Sequence, residues 1–169
     1  MSFTSNPLAD KFEQQFKNQL IRGTRLLDRG KVTEALPLLE SAYRLKPEHF
    51  ETMVNLGGAY IMLGRYKLAV PVLEKASELY PLEPQVWINL GAAYLGNPIL
   101  ASDEQQRNAL ASFNRAARLD PYAHNIEYNI GLIHRDRGEV DLALQAFERA
   151  LRINPDDPDA RRLIEKLRS

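Results

Sequence analysis

Residues 84–123 read PQVWINLGAAYLGNPILASDEQQRNALASFNRAARLDPYA, and the spacing inside this stretch decides the fold. Trp87, Leu90 and Tyr94 stand at i, i+3 and i+7, which is one face of a helix. Ala109, Phe113 and Ala116 do the same on a second helical segment, so the stretch is a helix–turn–helix unit. The unit recurs along the chain. Alanines 35, 69, 109 and 143 are separated by 34, 40 and 34 residues, and Ala42, Ala76, Ala116 and Ala150 and the prolines 47, 81, 121 and 155 keep the same intervals. Glycines 23, 57, 91 and 131 are separated by 34, 34 and 40. The long interval falls in a different place for the two marker sets, so the six extra residues lie after Gly91 and before Ala109. A period in this range means a stacked-repeat architecture, in which each unit buries its apolar face only against its neighbours.

The local chemistry agrees with paired helices. Glycine inside a helix costs about 1 kcal/mol relative to alanine, so four glycines at one phase imply a compensating contact. Close approach of the partner helix at its small alanine is the simplest. Gly30, Gly64 and Gly138 fall where the first helix must end and the chain turn, a left-handed position that glycine fills without strain. Each second helix stops at or before Pro47, Pro81, Pro121 or Pro155, because the residue before proline avoids helical dihedrals. Pro37 and Pro71 share one repeat position and are expected near the first turn of the second helix, where a missing N–H costs least. In the insertion, Asn97-Pro98 breaks the helix and Ser102 with Gln105 forms a capping box for the next one.

The pattern Trp87-x2-Leu90-Gly91-x2-Tyr94, then Ala109-x3-Phe113, then Pro121 resembles the tetratricopeptide repeat. The second repeat carries Leu56, Gly57, Tyr60, Gly64, Ala69, Ala76 and Pro81, and the fourth Gly131, Gly138, Ala143, Phe147, Ala150 and Pro155. The first keeps its glycines and alanines but has Gln19, Arg22 and Leu26 where Trp, Leu and Tyr are expected. The resemblance implies an all-α, right-handed superhelical solenoid of helix–turn–helix repeats. Its repeats run 16–49, 50–83, 84–123 with the six-residue insertion, and 124–157. Residues 1–15 form an N-terminal segment and helix extension, with Leu8, Phe12 and Phe16 on one strip after an Asn6-Pro7 start. Residues 158–169 read as a capping helix, in which Leu163, Ile164 and Leu167 face the last repeat beside Arg161, Arg162, Lys166 and Arg168.

Several function classes find no support. The chain has no cysteine, which excludes disulfides, thiol nucleophiles and Cys-type zinc sites. His49, His124 and His134 never reach the i, i+4 spacing of a helical zinc site, and His134 stands where Tyr60 and Tyr94 pack between helices. Asp103-Glu104 and Asp156-Asp157 sit at helix starts, where negative charge favours the helix dipole. No phosphate loop or nucleophile elbow is present, so neither enzymatic activity nor a cofactor or metal is expected. Lysine plus arginine and aspartate plus glutamate both total 22, and no repeat-length segment is strongly basic, so nucleic acid is not an expected partner. No apolar run approaches the roughly 20 residues that span a bilayer. The stretch before Lys11 lacks both the basic and the apolar region of a secretory signal, so the cytoplasm is the expected compartment.

The expected work is protein binding. In the tetratricopeptide family the first helix of each repeat, helix A, lines a concave groove, and repeat positions 2, 5, 9, 12 and 13 point into it. The resemblance therefore nominates Val54, Ile61, Met62, Ile88, Leu95, Tyr128, Leu132 and Arg135 as peptide-binding residues. Beside them Asn55, Asn89 and Asn129 form a ladder at position 6, each with a donor and an acceptor for a ligand backbone. A second apolar stripe on helix A fits a partner peptide or helix, but it equally fits contact with the neighbouring repeat or closure of a homodimer. The expected role is an adaptor, assembly factor or chaperone-like holder. The alternative is a self-associating scaffold whose groove is filled by its own N-terminal segment or a second copy. Secretion chaperones have similar length and repeat content, but architecture alone does not select that role. The family's basic clamp for acidic chaperone tails would need Leu20, Thr24, Asn55, Gln85 and Asn89 to match, and only Asn55 does. Leu100 and Ile99 in the inserted loop are candidates to touch the partner.

Overall fold

The computed structural model describes residues 7–98 and 100–169. Among these, nine helices follow one another: α1 Pro7–Asp28, α2 Val32–Leu45, α3 Phe50–Met62, α4 Tyr66–Leu79, α5 Pro84–Leu95, α6 Asp103–Leu119, α7 Ile126–Asp136, α8 Val140–Ile153 and α9 Pro158–Arg168. No described residue is in a strand. The described residues form an all-α solenoid that divides into two compact units, the division falling between Tyr80 and Pro81. In the first, α1 packs on α2, α2 on α3 and α3 on α4; in the second, α5 packs on α6, α6 on α7, α7 on α8 and α8 on α9.

The turn between helices A and B is one device used three times. Gly30, Gly64 and Gly138 have φ of 71°, 68° and 73°. Their N–H groups donate to Leu27, Ile61 and Arg135 carbonyls, while the next residue's N–H donates to Leu26, Tyr60 and His134 at 2.8–2.9 Å. This paired return satisfies the last carbonyls of helix A. The ends of helix B are equally regular. The N–H groups of Lys46, Tyr80, Asp120 and Asn154 donate to the carbonyls of Ala42, Ala76, Ala116 and Ala150 at 2.8–2.9 Å, and the proline follows one residue later.

The third repeat departs from this where the insertion lies. Gly96 ends α5 at φ 57°, ψ −121°, and Leu100, 77% exposed, stands in the loop that follows. The Ser102 hydroxyl accepts from the Gln105 N–H at 3.3 Å and the Gln105 Oε1 accepts from the Ser102 N–H at 2.9 Å, the expected capping box. Part of the insertion lengthens α6 at its start, to 17 residues against 14 in α2, α4 and α8. Asn6 and Ile99 lie outside the described residues.

Two local expectations are corrected. The repeated glycines of helix A face large side chains, not small alanines. A Cβ at Gly23, Gly57, Gly91 or Gly131 would lie 2.8, 2.6, 2.8 or 2.6 Å from Leu39, Leu73, Phe113 or Phe147 respectively. Each glycine is thus a hole that receives a fully buried knob from helix B. Pro37 and Pro71 are not in the first turn either; each is the sixth residue of its helix. There it deprives the carbonyl four residues earlier, Thr33 or Lys67, of its helical donor. Both prolines are exposed, so water can satisfy that carbonyl.

At the first repeat, Asn18, Gln19, Arg22 and Leu26 occupy the face whose counterparts in α3, Thr52, Met53, Leu56 and Tyr60, are buried. Leu8 and Phe12 continue that face and are 79% and 43% exposed. Below them, α1 is fastened to the α2–α3 connection. Lys46 Nζ lies 2.5 Å from a Glu13 carboxylate oxygen and 4.6 Å from the Phe16 ring, and Phe16 meets His49 edge-on at 4.9 Å. At the other end Asp157 caps α9 by accepting from the Asp159 and Ala160 N–H groups, and Ile164 buries against Ala143 and Phe147.

Candidate peptide-binding site

Each unit carries its own helix A faces. In the first, α1 and α3 are tied by polar side chains: Asn55 Nδ2 donates to Thr24 Oγ1 at 2.9 Å, and Thr24 Oγ1 donates to Glu51 at 3.4 Å. Val54 and Ile61 are half-buried beside this chain, and Met62 is 61% exposed. Lys17 is exposed and pairs with Glu13 at 3.6 Å, whereas Leu20 at the same repeat position as Val54 is buried.

In the second unit the apolar stripe is largely consumed by the next helix. Leu95, nominated as a binding residue, is only 5% exposed and sits in a core with Phe113, Ile126, Ile130 and Ile133. It is withdrawn from the site, because a side chain closed off by α6 and α7 cannot meet a ligand. Ile88 is half-buried and packs against the same core. Tyr128 and Leu132 pack on the cluster of Ala143, Phe147 and Ile164, with the Tyr128 ring 5.7 Å from Phe147. Burial raises the Tyr128 phenol above its ordinary pKa, and the carboxylates of Asp159 and Asp157 on the α9 side push the same way. A cavity of about 20 Å³ behind Tyr128, lined by His124, Asn125, Glu127 and Asp157, has room for one water.

Each of the three position-6 asparagines is braced within its own unit. Asn89 Oδ1 accepts from Gln85 Nε2 at 2.8 Å, and Asn129 Nδ2 donates to the Asn125 carbonyl at 2.8 Å, so both amides are oriented along their own helix. Asn55, Asn89 and Asn129 are all half-buried. Arg135 is turned aside by Asp136, whose Oδ1 accepts from its Nε at 2.8 Å and its Nη2 at 2.6 Å.

His134 is more than a packing group. Its Nδ1 is 2.5 Å from Glu139 Oε2, and Arg137 Nε donates to Glu139 Oε1 at 2.9 Å. The hydrogen bond with His134, then that with Arg137, holds the Glu139 carboxyl below its ordinary range. Among the described residues no cluster of three His, Asp or Glu groups could hold a metal, and no helix is long and apolar enough to cross a membrane.

Paired helices, glycine holes receiving helix B knobs, and a shared turn define a helical-repeat scaffold. Residues 26–94 and 124–157 match models of the tetratricopeptide repeat, together more than half of the chain, and the chain belongs to that family. Proteins of this family bind protein partners and are generally non-enzymatic scaffolds. The photosystem I assembly protein Ycf3 of Sorghum bicolor is 45% identical over 62 residues, 35% of this chain and 36% of that protein, so the match spans about a third of the relative. Among solved structures, a crystal structure of MamA protein superposes with a TM-score of 0.78 at 22% identity, covering 92% of this chain and 81% of that one. A thermophilic TPR protein of Thermus thermophilus gives 0.75 at 25% identity, covering 90% and 80%. MamA from residue 41 onward of Desulfovibrio magneticus RS-1 gives 0.73 at 23% identity, covering 85% and 77%. The two MamA likenesses show the fold alone.

Proposed function

We propose that this scaffold holds a segment of a partner protein on its helix A faces, as an adaptor or assembly factor. The observation that carries this reading is that Asn55 in the first unit and Asn89 and Asn129 in the second are half-buried amides at one repeat position, with Asn55 and Asn129 each having one hydrogen-bonding atom engaged by the protein itself. An amide oriented in advance loses less entropy on binding a ligand backbone. Met62, Val54 and Ile61 supply apolar contact in the first unit, while Ile88, Tyr128 and Leu132 chiefly stiffen the second. The assembly role that Ycf3 carries in its name favours an assembly factor over the other scaffold roles. In this reading residues 16–157 are the four binding repeats, with residues 1–15 and 158–169 as flanking segments.

A photo-crosslinking residue placed at Met62 should capture a partner protein from a native cell extract, while one at the exposed Leu142 of α8 should not. Equal capture at both positions, or none at Met62, would refute the assignment to helix A. A second reading, association with another copy, is favoured by the exposed Leu8 and Phe12 on α1. It predicts a dimer by light scattering that Leu8→Asp with Phe12→Asp abolishes; a monomer at high concentration removes it.

A further inference from the structure

The side of the first unit opposite in role to the helix A face carries a cleft of its own. It runs between α2 and α4 over α3, has a volume of about 450 Å³, and is lined by Tyr43, Leu56, Tyr60, Leu68, Pro71 and Val72, with Glu40 and Arg44 at its edge. Leu56 and Tyr60 are buried and form the floor, whereas Leu68 is 49% exposed on the wall. The Tyr60 hydroxyl donates to Glu40 at 2.9 Å, which engages the one carboxylate at the cleft. Leu68 is shared with an adjoining depression of about 360 Å³ that includes Arg65 and Lys67. Among the described residues no carboxylate pairs with Arg44, Arg65 or Lys67, although Lys46 and Lys75 nearby are both paired. Pro71 adds a polar feature to an apolar wall, because it leaves the Lys67 carbonyl without its helical donor.

Part of this lining is particular to this unit, although Leu142, the counterpart of Leu68, is also exposed in the second. Two repeats further on, the positions of Tyr43, Tyr60 and Pro71 are held by Ala117, His134 and Gln145. Packing alone accounts for Leu56, Tyr60 and Val72, but it does not require the exposed Leu68 and Pro71 and the half-buried Tyr43 to face one another inside a rim of unpaired cations. We propose that this cleft binds a linear peptide of a partner protein that presents one large apolar side chain flanked by aspartate or glutamate. The apolar side chain fills the space between Tyr43 and Leu68, and the flanking carboxylates meet Arg44 on one edge and Arg65 and Lys67 on the other. Desolvated apolar anchors provide affinity, and rim charges select the partner and speed its approach.

A phage library of random dodecapeptides panned on the full chain tests this directly, with the best binder then synthesised, labelled and titrated by fluorescence polarisation. The expected motif is a Phe, Trp, Leu or Met between acidic residues. Affinity should fall by about tenfold or more with Leu68→Asp, as expected for loss of a central apolar contact, and similarly with Arg44→Glu plus Lys67→Glu. It should be unchanged by Asn129→Ala on the helix A face of the second unit. Since Leu68 is an exposed side chain and the charge-reversal pair alters only surface cations, at least one variant remains folded by circular dichroism and decides the question. Failure to enrich such a motif, or binding that ignores both variants, overturns the proposal. Peptides sensitive to Asn129→Ala but not to Leu68→Asp would also overturn it, while supporting the helix A site.

Discussion

The glycine hole gives the sharpest quantitative test, and Gly57 opposite Leu73 is the cleanest case. A methyl group at Gly57 would lie 2.6, 2.7 and 2.9 Å from Leu73 Cδ2, Cγ and Cδ1. Carbon atoms pack best at about 3.5–4.0 Å, so the shortfall approaches an ångström, and it involves the branch point of the side chain as well as its flexible tip. Leu73 is fully buried and has nowhere to retreat. Overpacking of this kind costs about 1–3 kcal/mol, against about 1 kcal/mol gained by replacing glycine with alanine in a helix. Gly57→Ala alone should therefore leave stability unchanged or lower it by up to about 2 kcal/mol. Leu73→Ala alone should cost about 3–5 kcal/mol. In the Leu73→Ala background the clash is gone, and Gly57→Ala should now stabilise by about 1 kcal/mol. Urea unfolding followed at 222 nm on the four proteins yields the coupling, expected at about 1–3 kcal/mol; additivity within about 0.5 kcal/mol would refute the knob-and-hole reasoning.

Further expectations follow from single contacts. Ser102→Ala removes the α6 cap and should cost about 0.5–2 kcal/mol, with faster amide exchange confined to the first turn of α6; uniform or unchanged exchange would count against the cap. Pro37→Ala restores a donor to the Thr33 carbonyl and should stabilise by about 1–3 kcal/mol, less what the freer unfolded chain takes back; a lower Tm would contradict this. Because Glu139 has a depressed folded pKa, its contribution is present above the ordinary value of 4.5 and is lost as pH falls through the folded value. Glu139→Gln should accordingly flatten the acid limb of the stability profile below that value and leave the neutral-to-alkaline limb parallel to that of the parent; an unaltered acid limb would show that the contact with His134 and Arg137 is not formed in solution.

Much of this architecture is legible in the residues because each repeat solves the same local problem with the same residue. Gly30, Gly64 and Gly138 are needed for a left-handed turn, and the prolines after helix B mark its end, so turn chemistry and helix length could be read directly. The partner of the helix A glycines could not. Ala35 and Leu39 lie one turn apart on the same side of α2, and only packing shows that the leucine fills the hole. The same limit affected the site. Positions that face a ligand and positions that face the next helix A share one helical surface, so Val54, Ile88, Leu95 and Tyr128 look alike by periodicity. Packing separates them: Leu95 is enclosed by α6 and α7, and Tyr128 is covered from the α9 side. The cleft that joins Tyr43, Leu68 and Pro71 is hidden from periodicity for a different reason, since they come from two B helices whose facing surfaces are set by the spacing of repeats and not by the period of either helix.

The central claim is that a partner is held by the oriented amides of helix A. Its most direct measurement is quantitative affinity capture from native cell extract, comparing the parent chain with the Asn55→Ala, Asn89→Ala and Asn129→Ala triple variant at matched helicity and Tm. The account predicts that a defined set of proteins bound by the parent is depleted from the triple variant. Recovery of the same proteins in the same amounts would contradict it.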